Sequence, residues 1–165
     1  MDVIIPIVAF LLVAIAIVGG LVFLVGRLFG ISGKAIKRDL SWSVNYVNGK
    51  WTSPLDIVFE GIYKYKKVKC GFSKIGGGGK SIPIIYAAIK LRYTTRKFLI
   101  DYPKPSEDTV IRQDWLCHEE AYVPLSKDYR NFFSKEQFPS ILEKLYNTAE
   151  IVDRNPRKWD LVKGE

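Results

Sequence analysis

Apolar and polar positions divide this chain into stretches of different pattern. Val3 to Gly26 is an unbroken run of 24 uncharged, mostly apolar residues, preceded by Asp2 and followed by Arg27, Lys34, Lys37 and Arg38. As a helix, at about 1.5 Å per residue, that run reaches roughly 36 Å, against about 30 Å of bilayer hydrocarbon. It predicts a single transmembrane helix within residues 1–30, a juxtamembrane linker at 31–39 and one further domain at 40–165. A cleaved secretory signal fits less well, because the stretch before the run lacks Lys and Arg and the apolar segment exceeds roughly 7 to 15 residues. Basic residues on the C-terminal flank alone place the N-terminus outside and the domain on the cytoplasmic side, or in the matrix of an organelle.

Small residues recur through the run at Ala9, Ala16, Gly19, Gly20, Gly26 and Gly30, with small-xxx-small pairs at Ala16/Gly20 and Gly26/Gly30. That spacing lets two helices approach closely, so these six positions form the predicted helix-packing face.

Beyond residue 39 the pattern changes to strands followed by one late helix. Trp42 to Thr52 carries aromatic and β-branched residues around Asn48-Gly49, which predicts a hairpin with a type I′ turn. Asp56 to Gly61 and Ile62 to Cys70 read as strands, the second with lysines interleaved near period two, as on a wet, basic sheet face. Ile82 to Tyr93 is apolar and fits strand or helix, although Pro83 opposes a helix. Arg96 to Tyr102 and segments of Thr109 to Val123 read as strands. From Pro139, the spacing of Ile141, Leu142, Leu145, Tyr146 and Ala149 predicts an amphipathic helix. The expected fold class is a single-pass transmembrane α-helix plus one α+β domain, mainly an antiparallel sheet or partial barrel with a C-terminal helix. The polar tail from Asp153 would fray if left alone.

Charge sharpens the picture. The chain carries a net +8, and residues 61–104 hold eleven basic side chains against Asp101 alone, whereas residues 105–165 hold nine basic and twelve acidic. The surplus therefore lies in one segment, whose Lys64, Lys66, Lys67, Lys69, Arg92, Arg96 and Lys97 are the candidate binding residues for anionic lipid or an acidic protein surface. Aromatic residues interleave with these charges, but no RNA-binding signature is present, so nucleic acid is not the expected partner.

Candidate chemistry is sparse. Lys74 to Ser81 contains four glycines before Lys80-Ser81, yet Lys74 occupies the position where a phosphate-binding loop requires its first Gly, and Ile82-Pro83 follows where a helix should open. The segment reads as a glycine loop between strands. His118 lies in Cys117-His118-Glu119-Glu120, and the other cysteine is Cys70. No paired ligand spacing makes these a zinc site, and sequence neighbours rarely meet as a Cys–His nucleophile pair. A Cys70–Cys117 disulfide would require an oxidising compartment. Glu107, Asp108, Asp114, Glu119 and Glu120 form an acidic cluster better read as an exposed loop than as acid–base machinery.

No cofactor and no metal is expected. The reading is a non-catalytic accessory or structural subunit of a multi-subunit membrane assembly, with other membrane-protein subunits and anionic lipid as partners. The alternative is a membrane-anchored module that binds anionic lipid or an acidic protein surface.

Overall fold

Alternating burial builds the sheet. β2 (Val58–Tyr63) pairs antiparallel with β3 (Lys66–Ile75) from Val58↔Gly71 to Tyr63↔Lys66, closing over Lys64 at φ +54°. β3 pairs with β4 (Ile82–Lys90), and β4 with β7 (Trp115–Ala121), which turns back at Gln113 (φ +56°) onto β6 (Thr109–Arg112). β1 (Lys50–Trp51) extends the far edge, giving a six-stranded antiparallel sheet in the order β1-β2-β3-β4-β7-β6. The structure, a computed structural model, describes residue 20 and residues 33–54, 56–75, 81–95, 102–123 and 127–163. The chain divides into two units, Met1–Arg38 and Asp39–Glu165. Residues 33–39 are helical.

Cross-strand neighbours share a face, so the register defines an inner layer of Phe59, Val68, Cys70, Ile85, Ala87, Ile89, Leu116 and Ile111, all buried. The expected late helix is α3 (Gln137–Arg154), the label following α1 (Ser41–Tyr46) and α2 (Tyr129–Phe132). It packs on β4 and β7 and buries Phe138, Ile141, Leu142, Leu145, Ala149 and Val152, one stripe at helical spacing. An aromatic cluster fills the space beside it. Phe133 lies 5.3 Å from Phe138 and 4.9 Å from Phe132 between ring centroids, and Phe59 lies 5.9 Å from Phe133. The tail is pinned: after a 3-10 turn at Pro156–Trp159, β8 (Leu161–Lys163) pairs with β5 (Tyr93–Thr95) in a separate two-stranded sheet.

Two expectations are corrected. Residues 41–46 are helix, not the first strand of a hairpin, and Leu40, Ser43, Val44 and Val47 are buried at helical spacing. Asn48 takes φ +48°, and Gly49 N–H donates to the Val44 carbonyl at 2.8 Å, so the Asn-Gly pair ends a helix. The left-handed backbone that suits a type I′ turn serves equally at a helix C-terminus.

The second correction concerns class. Among the described residues no helix is long and apolar enough to cross a membrane. α3, at 18 residues, has the length, but its buried apolar residues form a single stripe, and the charged residues Glu143, Lys144, Glu150 and Arg154 lie among the rest. The single-pass transmembrane class is therefore corrected to an α+β fold with a mainly antiparallel sheet. The single-pass membrane localisation, with its outside N-terminus and cytoplasmic or matrix domain, loses the span on which it stood. Residues 3–26, where that span was expected, lie outside the described residues apart from Gly20.

Candidate functional site

α3 covers only the inner face of the sheet. On the outer face the register aligns Glu60, Lys69, Ala88, Cys117 and Val110 in one row, with Lys67, Lys90, Trp115 and Arg112 in the next and Tyr86 beside Glu119 on the other side. Small side chains at the centre and large ones around them make a trough of about 540 Å³. Its floor is Ile84, Ala88 and Cys117, all buried, and its walls include Tyr86, Tyr102 and Trp115. Along β4, Ile84 to Ala88 spans about 13 Å at roughly 3.3 Å per residue.

The charges of this face are partly self-neutralised. Arg112 makes a bidentate pair with Glu119, Nε to Oε1 at 2.6 Å and Nη2 to Oε2 at 3.0 Å, and lies 5.0 Å from the centre of the Tyr102 ring. The Glu119 hydrogen bond raises the guanidinium pKa above its usual value, against a smaller opposing effect of burial. Lys69 pairs with Glu60 at 3.2 Å and Lys90 with Asp114 at 3.0 Å. Burial pushes the Cys117 thiol up to about 12, so this cysteine on the floor is a neutral, apolar element and not a thiolate. Burial also raises the pKa of Tyr86.

The seven basic candidates separate. Lys67 and Lys69 lie on the outer face. Lys64 turns to α3 and donates to Glu143 Oε1 at 2.9 Å, 4.2 Å from the Tyr146 ring centre. Lys66 is buried, with Asp153 at 2.6 Å and Glu150 at 3.2 Å. The Arg92 backbone N–H donates to Asp153 at 2.9 Å, while Arg92 itself is exposed. Arg96 and Lys97 lie outside the described residues, as do the expected strand at 96–101 and Gly76 to Lys80 of the glycine loop. Of the small-residue set, Gly20 is helical and exposed, whereas Ala9, Ala16, Gly19, Gly26 and Gly30 lie outside the described residues.

His118 belongs to the inner face. Its Nδ1 lies 3.1 Å from the Asp108 carbonyl, its Nε2 3.1 Å from Glu120 Oε1, and its ring 5.7 Å from that of Phe132. Asp108 also accepts from Ser106 Oγ at 2.9 Å and from Lys144. Every polar group in this cluster is engaged with another group of the chain, and among the described residues no set of three His, Cys, Asp or Glu side chains is placed to hold a metal ion. Cys70 faces inward and Cys117 outward, so the sheet separates them and both are free thiols.

Sequence reasoning does not bring the trough residues Tyr86, Ala88, Tyr102, Arg112, Trp115 and Cys117 together as a site; it weighs Cys117 only as a metal ligand, a nucleophile or a disulfide partner. A signal was present: Ile84, Tyr86 and Ala88 are as apolar as Ile85, Ala87 and Ile89 between them, and a strand apolar on both sides has something to cover on each. No protein-family model, curated protein or solved structure matches the chain.

Proposed function

We propose that this chain is a non-catalytic accessory subunit of a multi-protein assembly, held there through the outer face of its sheet. The observation that supports the reading is the one-sided architecture: α3 covers the inner face, while the outer face keeps a trough with an apolar floor and aromatic walls. A continuous apolar and aromatic surface rimmed by polar groups is the usual composition of a protein interface. The inner-face His118 cluster serves packing, because its imidazole and carboxylates are taken up within the chain. Cross-linking mass spectrometry on native extract, joined to native mass measurement of the purified full chain, tests the proposal. Stoichiometric partners cross-linked through Lys67, Lys69 or Lys90 are expected, and recovery of a lone monomer under conditions that preserve complexes contradicts it.

A further inference from the structure

The outer face holds three carboxylates near the trough, and each already has a cation: Glu60 with Lys69, Asp114 with Lys90 and Glu119 with Arg112. The converse does not hold. Lys67 lies in the row of Lys90 and Trp115, Lys74 lines the trough, and Lys104 follows the wall residue Tyr102 by two positions. None of these three lysines has an ion-pair partner among the described residues, and all are exposed. The face therefore presents an apolar channel with a one-signed surplus of charge around it. Tyr102, 41% exposed, stands at the wall with Arg112 against its ring, a rigid aromatic edge at low entropic cost.

We propose that the trough takes an extended acidic segment of a partner protein, with an aromatic or aliphatic side chain of that segment seated over Ala88 and Cys117 between Tyr86, Trp115 and Tyr102. This rests on the accessory-subunit reading and gives it a partner chemistry. The floor length of about 13 Å along β4 matches four or five residues of extended chain at roughly 3.3 Å each. In such a segment alternate side chains point the same way, so acidic residues at even spacing from the anchor, two or four positions away, share its face and point toward Lys67, Lys74 and Lys104. The Lys69–Glu60, Lys90–Asp114 and Arg112–Glu119 pairs act differently: they cancel charge locally and keep the channel walls in place, and the unpaired lysines supply the attraction.

Fluorescence polarisation with the full chain tests this, using three labelled synthetic peptides with Ser at every second position and, at the positions between, Glu-Phe-Glu (Glu/Phe), Glu-Ser-Glu (Glu/Ser) or Lys-Phe-Lys (Lys/Phe), so that the charges share a face with the anchor. The Glu/Phe peptide is expected to bind at least about tenfold more tightly than either control, since a seated aromatic anchor carries much of an interface's affinity. Tyr102→Ala and, separately, the Lys67→Gln/Lys74→Gln double substitution each reduce its affinity about tenfold or more, whereas Lys144→Gln on α3 leaves it unchanged. Tyr102, Lys67 and Lys74 are exposed, so these variants fold. Equal binding of the Glu/Ser or Lys/Phe peptide, or undiminished binding by both trough variants, overturns the proposal. Native partners that co-purify equally with wild type and with both variants would leave the accessory reading standing and remove the trough as its contact.

Discussion

Lys66 Nζ lies 2.6 Å from Asp153 Oδ2, and both side chains are only 5% exposed. This pair joins the start of β3 to the last turns of α3, and the other oxygen of Asp153 accepts the Arg92 backbone N–H at 2.9 Å. One carboxylate thus ties helix, central sheet and the chain leaving β4. Removing it leaves an ammonium group buried with only Glu150 at 3.2 Å. Asp153→Ala is expected to lower stability by about 3 kcal/mol, as breaking one side of a buried pair does. The Lys66→Met/Asp153→Leu double variant removes both charges and should be the more stable of the two in urea titration; the reverse order would show that the pair contributes little.

The aromatic cluster carries the packing between sheet and helix. Phe138 is fully buried and contacts the rings of Phe59 and Phe133 at centroid distances of 6.3 and 5.3 Å. Phe138→Ala should cost about 3 to 5 kcal/mol. Ile151, on the same helix but 59% exposed, should change stability by less than about 0.5 kcal/mol when replaced by Ala. Chemical denaturation of the two variants checks the contrast, and similar losses would contradict the assigned helix face.

Two glycines admit close backbone approach. A Cβ on Gly61 would meet the Val47 carbonyl oxygen, and one on Gly71, whose φ is +149°, would meet that of Ile57. Gly61→Ala and Gly71→Ala are each expected to destabilise by about 1 to 3 kcal/mol through steric overlap, joined at Gly71 by backbone strain. Thermal melts read the effect, and an unchanged midpoint at either position would refute this packing of the chain against β2 and β3.

Acid stability depends on Asp108. The hydrogen bond from Lys144, aided by that from Ser106, holds its carboxyl below the usual value of 3.8. A carboxyl lowered by folding contributes stability that is present above its unfolded pKa and lost as pH falls through its folded pKa. Lys144→Gln should therefore be less stable than wild type near neutral pH, with the difference shrinking once the pH drops below about 4. Urea midpoints measured from pH 7 downward test the sign, and a gap that stays constant or widens in acid contradicts it.

Legibility in the sequence followed the strength of local pattern. α3 was readable because Ile141, Leu142, Leu145 and Ala149 repeat at helical spacing and Phe138 to Val152 complete one stripe. The sheet was readable in outline, but the hairpin turn at Lys64 was not. The near-period-two interleaving of Lys64, Lys66, Lys67 and Lys69 with Ile62, Tyr63, Tyr65 and Val68 hides a reversal that only Lys64's positive φ marks. That reversal sends Lys64 and Lys66 to α3 and leaves Lys67 and Lys69 outside, so one basic segment serves two surfaces. At Asn48-Gly49 the same left-handed preference permitted a hairpin or a helix end, and burial of Leu40, Val44 and Val47 against the core decided for the helix. The trough arises from non-local pairing: Ala88 meets Cys117 only because β7 follows β4 in the sheet across 24 intervening residues, from 91 to 114.

Lysine reactivity tests the central claim, that the outer sheet face is the contact with a partner, most directly. The full chain, alone and in its native assembly, is treated briefly with an amine-reactive acylating reagent, and modification at each lysine is quantified by mass spectrometry. Protection at Lys67, Lys69 and Lys90 in the assembly, with Lys144 and Lys158 as reactive as in the isolated chain, is the result this account predicts. Full reactivity of the three outer-face lysines in the assembly, with protection at Lys144 or Lys158 instead, would contradict it.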